Sequence, residues 1–421
     1  MAKILILIGA HLCTAPRPQK EADALAQAGH QVIVRGVWFD PVLAERDRQL
    51  MTHRPWIFEP VVDFRPDRLE RWGIRVQARL AREAFKRWQN VSPALLGYGA
   101  RAMLKVALKE QSDLTIVHSE AGLWVGDRLL RKGLQVGVDF EDWFSQDLLP
   151  DAQATRPVAQ IKQLEERLAI ACTYCLTTSH ALADTLAQVY QAPTPTVIYN
   201  SFPQFDQPAL TRSAPSANSV PSLHWFSQTI GRGRGLETLF QALPLLKTPV
   251  TIHLRGNCSD RNRQWLESLV SPEWRSRLFI HPTVSNAELP ACIAEHDIGL
   301  ALEEPDPPSR NLTITNKLFQ YMQAGLAVIA TDTAGQREIL TQHPAMGRLV
   351  ACRDPVALAA AIDDLVNQSD VLQTAQKAAL HAFQTQFGWE NQRDRLLQAA
   401  DTALKNATSH TLHPTPHTSH P

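Results

Sequence analysis

The chain has 421 residues, 44% of them hydrophobic, and its 42 Lys+Arg balance 42 Asp+Glu. At roughly 150 residues per domain this excludes a single small module and supplies apolar material for two or three cores. A formal net charge of zero excludes the polycation that coats nucleic acid, so no nucleic-acid partner is expected. No run approaches the ~18 consecutive apolar residues of a membrane span. The N-terminal MAKILILIGAH has neither a basic leader nor a small-residue cleavage site and reads as a buried first strand. Six scattered cysteines do not make a disulfide framework, and Cys172 and Cys175 read as buried structural thiols. A cytoplasmic location is therefore expected, where the sequon matches at Asn311 and Asn406 carry no meaning.

In chain order, short β-rich runs alternate with helical patterns, the signature of βα units around parallel sheets, so the fold class is α/β. In the first half the strand runs are 3–9, 31–37, 114–119, 135–140, 174–179 and 196–200, with a helix over 20–28 closed by Gly29. About 75 residues separate the second and third of these strands, which reads as an insertion. Inside it, at ~100° per residue, Arg68, Arg71, Arg75, Arg79, Arg82 and Lys86 fall on one stripe of a helix over 68–88. Leu69, Trp72, Val76 and Leu80 form the neighbouring stripe. Two readings stay open: a surface helix with its apolar stripe in the core, or an interfacial helix meeting anionic lipid or a polyanionic acceptor.

Residues 203–222 are rich in proline and serine without periodicity and read as a linker between an N-terminal domain, 1–202, and a second α/β domain, 223–375. The second set of strands is 223–228, 251–256, 278–284, 297–303, 326–332 and 347–352. Helices follow over 376–405, and 406–421 is low in complexity and expected to be disordered. Two doubly wound domains in tandem are expected to face a central ligand cleft.

The stretch TITNKLFQYMQAGLAVIATDTAGQREIL (313–340) reads as a loop, a helix starting at Thr315 or Asn316, a glycine stop at Gly325, a buried strand and a second helix opening at TDTAG. Two helix N-termini at strand ends are suited to phosphate through free N–H groups and helix dipoles. This stretch, with WFSQTIGRGRGLETLFQAL (225–243), resembles the donor-nucleotide motifs of glycosyltransferase family 4, retaining enzymes of the GT-B architecture. The resemblance covers the second half in register and the first half more loosely. It implies transfer of a sugar from a nucleotide-diphosphate donor to an acceptor hydroxyl, with retention, in glycan, glycolipid or exopolysaccharide synthesis.

The resemblance also implies roles. Arg234 falls where the second member of a pyrophosphate-binding basic pair belongs, while the first falls at Gln228, which has no charge; Arg232 is a neighbouring replacement. The family's two glutamates become Leu312 and Gln320, the latter at the ribose position. Asn311, Thr315 and Asn316 are expected to offer amides and backbone N–H groups to phosphate or sugar, and Glu303 a carboxylate to the sugar pocket. No D-x-D carboxylate pair is present, so leaving-group charge is assigned to Arg234 and Lys317, with no metal and no cofactor beyond the nucleotide sugar. In the first half, Gly9 and Arg17 flank the loop that relatives bring near sugar or acceptor. His118 contacts donor sugar or acceptor by resemblance, or is a core histidine satisfied by backbone. Asp139 and Glu141 share a face by strand periodicity, and one of Asp139, Glu141 and Asp142 is a candidate to serve the acceptor hydroxyl. The partners expected are a nucleotide sugar and a carbohydrate or lipid-linked acceptor, with an anionic membrane surface on the interfacial reading of 68–88. Gln228 and Gln320 keep a catalytically degraded sensor or partner subunit as the alternative, with a sugar-nucleotide epimerase or phosphorylase as a second.

Overall fold

The computed structural model describes residues 1–65, 70–204 and 220–411. The chain divides into two compact units: one from residues 1–178, 182–198 and 393 onward, the other from 179–181 and 199–392. Most of the proline-rich stretch 203–222 and the end of the tail lie outside the described residues.

The first unit is built on a seven-stranded parallel sheet in the order β3-β2-β1-β4-β5-β6-β7. Its strands are β1 (Lys3–Leu7), β2 (Gln31–Trp38), β3 (Ile57–Asp63), β4 (Leu114–Val117), β5 (Val136–Phe140), β6 (Tyr174–Thr177) and β7 (Thr196–Val197). The order reverses between β1 and β4, so the loops after those strands diverge and leave a crevice at their carboxyl ends. β1 and β4 are nearly continuous runs of buried aliphatic residues because helices cover both faces of a parallel sheet.

β3 was not expected. Its sequence, IFEPVVD, carries a proline and buries only Val62, which hides it from a periodicity search; Pro60 is tolerated because the strand is at the sheet edge. The supposed insertion therefore holds a sheet strand with helices on either side of it in the chain, Pro41–Met51, Glu70–Trp88 and Ala100–Glu110.

The helix Glu70–Trp88 does not fit the first of the two open readings, an apolar stripe in the core. Arg68 and Leu69 lie outside the described residues, as does the side chain of Arg71. Trp72, Val76 and Leu80 are 60%, 52% and 64% exposed. Contact with the unit runs instead through Ala78, Ala81 and Phe85, the last two packed with Leu95.

The second unit carries a six-stranded parallel sheet in the order β10-β9-β8-β11-β12-β13. Its strands are β8 (Ser222–Thr229), β9 (Thr251–Asn257), β10 (Leu278–His281), β11 (Ile298–Ala301), β12 (Ala327–Thr331) and β13 (Gly347–Val350). All six runs anticipated from sequence are present, most of them shorter at their carboxyl ends; β10 stops before Pro282, which has no N–H for the ladder. The core joins Trp225, Leu254, Leu300, Ile329 and Ile362 from strands and the helix Pro355–Val366. The last helix, Trp389–Thr411, runs past Lys405 into the stretch expected to be disordered, since no breaker precedes Pro414. Among the described residues no helix is long and apolar enough to cross a membrane.

One feature of this core is polar. His224 and His253 are cross-strand neighbours on β8 and β9, His281 lies on β10, and His296 precedes β11. The rings of His224 and His296 stack at 4.5 Å, and His253 Nδ1 lies 3.0 Å from His281 Nε2. Among the described residues neither nitrogen of His224 has a hydrogen-bond partner, nor does Nε2 of His296. Burial first, then the neighbouring imidazoles and Arg255, depress His253 to about 4 and His296 to about 3, and push His224 down in the same direction; Asp297 opposes the shift at His253 and His296. Folded, these rings stay neutral below pH 6.5 while the unfolded chain takes up protons. Stability is thus present above about pH 6.5 and falls as pH drops, by up to about 1.4 kcal/mol per pH unit for each such group. Thermal melts between pH 7 and 4.5 are expected to show a steep acid loss that is visibly shallower in His296→Phe; equal slopes in the two proteins would exclude the cluster as its cause.

Candidate functional site

In the second unit, the loop after β8 turns through Gly235, whose φ of +77° suits only glycine-like backbone. A Cβ there would lie 2.4 Å from that of Leu302, so the loop rests directly on the chain leaving β11. That chain is fixed from its other side by Thr331 at the end of β12. The Thr331 hydroxyl accepts from Glu303 N at 2.7 Å and donates to Glu303 O at 2.6 Å. Glu303 is held in place by backbone contacts on two sides.

Opposite it, the helix Asn316–Gln323 opens at Thr315 without a side-chain cap. Lys317 in its first turn is 6% exposed and donates from Nζ to Glu303 Oε1 at 2.5 Å, with Nζ 5.8 Å above the Trp225 ring. Burial would raise the Glu303 carboxyl, but the Lys317 ammonium more than reverses this and holds it below the usual range. A cation at the positive end of a helix dipole is disfavoured unless an anion accompanies it. Here Glu303 is that anion, and the uncapped N–H groups of the same turn remain beside the pair. Gln320, one turn on, is buried, and its amide has no hydrogen-bond partner among the described residues.

The remaining expected donor residues separate into engaged and open. Arg234 is exposed with no ion pair among the described residues. Arg232 does not replace the missing charge of Gln228, because its guanidinium stacks over Trp265 at 5.1 Å; Gln228 is exposed near the end of β8. Asn311 Oδ1 accepts from Ala334 N at 3.2 Å, at the start of the helix Ala334–Gln342, and Thr333 Oγ1 accepts from Gln336 N at 3.4 Å. The second helix N-terminus is therefore capped from within, which corrects the expectation of two open ones. Gly335 permits this closeness, since a Cβ would sit 2.5 Å from Thr313 O. Asn316 is exposed and Thr315 Oγ1 lies 3.5 Å from Lys317 Nζ.

The first unit carries a separate buried network. Arg17 on the helix Pro16–Gln27 donates to Asp139 through Nε at 2.6 Å and Nη2 at 3.0 Å, and to Ile198 O at 2.5 Å. Both residues are buried and form a structural ion pair, which corrects the expectation that they stand open to an acceptor. His118 follows β4 and is neither satisfied by backbone nor free for a sugar: Nε2 donates to Glu21 at 2.8 Å and Nδ1 to Glu141 at 2.6 Å. Burial alone would lower it, but the Glu21 charge and the Glu141 and Glu21 bonds raise it to about 10, so the ring is an imidazolium. Tyr174 also donates to Glu21. Glu141 retains about one-third exposure and Asp142 is half-buried, leaving these two as the accessible carboxylates of the trio. Gly9 is half-buried, and a Cβ on it would lie 2.8 Å from Ser119 Oγ, a packing reason for glycine there.

Sequence reading missed Glu21 and Lys20, the latter pushed down to about 7 by burial and then by Arg17. The available signal was Arg17, Glu21 and Leu25 at i, i+4, i+8, a charged pair on a stripe that the helix buries. Glu21, His118 and Asp139 each present a ligand atom within 4.8 Å of the others, but the Arg17 guanidinium and the imidazolium already supply positive charge there.

Residues 223–368 match the family model for Glycosyl transferases group 1. No curated protein matches the chain in sequence. Among solved structures, it is similar to sucrose-phosphate synthase from Thermosynechococcus elongatus, at TM-score 0.72 and 17% identity, over 97% of this chain and 100% of that one. It is similar to Anabaena HepE in complex with UDP and glucose, at TM-score 0.68 and 16% identity over 96% and 100%. It also resembles S. aureus TarM in complex with Fondaparinux, alpha-GlcNAc-glycerol and UDP, at TM-score 0.65 and 9% identity over 95% and 99%. The fold is GT-B, and the group 1 match over 223–368 supports a glycosyltransferase.

Because Glu21 and Glu141 clamp the ring, His118 is expected to remain protonated through pH 8 in the folded protein. Its stabilising contribution is full below the unfolded value near 6.5 and is lost only as pH rises through about 10. Imidazole NMR shifts report this directly, and Glu21→Gln is expected to bring the titration down by more than a pH unit; a wild-type midpoint near 6.5 would sink the clamp.

Proposed function

We propose that the protein is a family 4 type, retaining, metal-independent glycosyltransferase that moves a sugar from a nucleotide-diphosphate donor to an acceptor hydroxyl in glycan, glycolipid or exopolysaccharide synthesis. The observation that carries this is the buried Lys317–Glu303 pair in the uncapped first turn of Asn316–Gln323. When the bond to the sugar breaks, negative charge grows on the diphosphate. Lys317, the open N–H groups and Arg234 neutralise it without a metal, and their fixed positions mean that little reorganisation is needed at that moment. Glu303 holds Lys317 in place and accepts from a sugar hydroxyl. Gln320 takes the ribose through its amide, a neutral contact of about 1 kcal/mol where a carboxylate gives ~2. In the first unit, Glu141 and Asp142 are the carboxylates assigned to the acceptor, with His118 positioning Glu141.

Arg234 gives the cleaner test of the two cations. Among the described residues it has no ion pair to lose, so Arg234→Ala is expected to keep its melting temperature while turnover of UDP-glucose or the matching donor drops ~10²-fold. Lys317→Ala strands Glu303 in a buried site, which costs about 3–5 kcal/mol in stability, so its kinetics need a melt beside them. The wild-type reaction in EDTA is expected to retain its rate, and the product anomer by NMR to match the donor. Normal turnover by folded Arg234→Ala would remove that residue from the site. The neutral Gln228 and Gln320 favour one rival, a sugar-nucleotide sensor, which a donor panel giving binding without turnover would establish.

We also place the protein in the cytoplasm, peripheral at an anionic membrane surface. Trp72, Val76 and Leu80 form an exposed apolar stripe on a helix that also carries exposed Arg75, Arg79, Arg82 and Lys86, the composition of an interfacial helix. Cosedimentation with phosphatidylglycerol vesicles is expected to exceed that with phosphatidylcholine, and the Trp72→Ser, Leu80→Ser double variant to bind at least ~10-fold more weakly. Indifference to both changes would leave the helix a structural one.

A further inference from the structure

The same helix covers a cavity of about 320 Å³ lined by Arg75, Arg79, Arg82, Phe39, Phe64 and Tyr98. The rings come from loops at one edge of the first unit's sheet. Phe39 follows β2 and Phe64 follows β3, and the two stack at 5.5 Å with 2° between their planes. Tyr98 meets Phe64 edge-on at 5.0 Å. It is set there by flanking Gly97 and Gly99, at φ +145° and +90°, and a Cβ on Gly99 would lie 2.9 Å from Val62 Cγ2. The arginines stand at i, i+4 and i+7 on one helix face. None has an acidic partner among the described residues; Arg82 Nε reaches only the carbonyl of Ala78, and Asp63, at the end of β3, is held by Arg65 at 2.6 Å.

Three like charges gathered on one rim repel one another, and a guanidinium fork matches a carboxylate or phosphate with two parallel hydrogen bonds. The aromatic faces are the complementary half, since their electron-rich surface attracts the weakly positive C–H face of a pyranose. The volume is at the lower end for small-molecule sites and suits one sugar residue. We propose that this cavity receives one anionic sugar residue of the acceptor, distal to the hydroxyl assigned to Glu141 and Asp142, its carboxylate or phosphate on Arg75, Arg79 and Arg82 and its ring on Phe39 and Tyr98. The inference rests on the glycosyltransferase reading above and specifies the acceptor as negatively charged.

Ligand-observed NMR titration of the full chain with glucose 6-phosphate, methyl glucuronide and methyl glucoside tests it, with UDP titrated separately. Glucose 6-phosphate or the glucuronide is expected to bind at least ~10-fold tighter than the neutral glucoside and to weaken with added salt. Arg79→Gln is expected to erase that preference, and Phe39→Leu to weaken both anionic sugars several-fold, while UDP affinity stays unchanged in each variant. Equal binding of the neutral glucoside overturns the proposal. So does inorganic phosphate competing as well as the sugar phosphate with Phe39→Leu silent, which marks an anion site only. An Arg79→Gln effect confined to phosphatidylglycerol vesicles overturns it in favour of a lipid headgroup. UDP binding without anionic-sugar binding defeats this inference alone, whereas loss of UDP binding by the wild type defeats the donor reading and leaves the sugar titrations interpretable.

Discussion

A lysine ammonium buried at the amino end of a helix is an electrostatic liability, and the second unit is arranged around supporting one. Lys317 requires an anion within reach, and Glu303 supplies it from the chain leaving β11. Glu303 in turn requires a rigid backbone, obtained from the Thr331 hydroxyl on one side and the close approach of Gly235 to Leu302 on the other. The helix carrying Lys317 is held down by Tyr321, whose hydroxyl donates to the carbonyls of His224 and Leu300 and whose ring fills the space above Gly299. The segments that meet here come from three adjacent strands, so no local stretch of sequence could build the pair alone.

The first unit solves the same problem with more members. Arg17, Glu21, His118, Asp139 and Glu141 are two cations and three carboxylates, and each named contact joins opposite charges or a donor to an acceptor. Removing one member of such a set strands the others, so its residues are expected to be far more sensitive to truncation than to conservative exchange. The accessible part is the end at Glu141, about one-third exposed, where the network meets solvent.

Much of the architecture was legible because buried parallel strands announce themselves: residues 4–7 and 327–330 are uninterrupted aliphatic runs that a covered sheet accommodates. β3 was not, because an edge strand with Pro60 has neither alternation nor a full ladder to satisfy. At the site, the family resemblance pointed to Lys317 and Gln320, but could not tell which polar groups already had partners within the fold. Asn311 turned out to cap a neighbouring helix, Arg232 to lie on Trp265, and Arg17 to pair with Asp139. Those partners lie from 23 to 122 residues away in the chain, a distance over which periodicity carries no information. The basic helix failed differently. Among the described residues neither its basic nor its apolar stripe meets the core; the contact falls on Ala78, Ala81 and Phe85, and the two alanines are small residues that a hydrophobicity pattern underweights.

Gly9 and Ser119 divide one side chain's worth of room between them. Ser119 is in the left-handed region, φ +69°, a conformation that costs a β-carbon-bearing residue about 1 kcal/mol, and its side chain fills the space a Cβ on residue 9 would enter. Serine at 119 thus crowds alanine at 9, which would have to turn the hydroxyl aside, while glycine at 119 would relieve the left-handed cost and open position 9. Substitutions at the two positions are therefore coupled, and glycine at 119 makes a larger residue at 9 easier to accept.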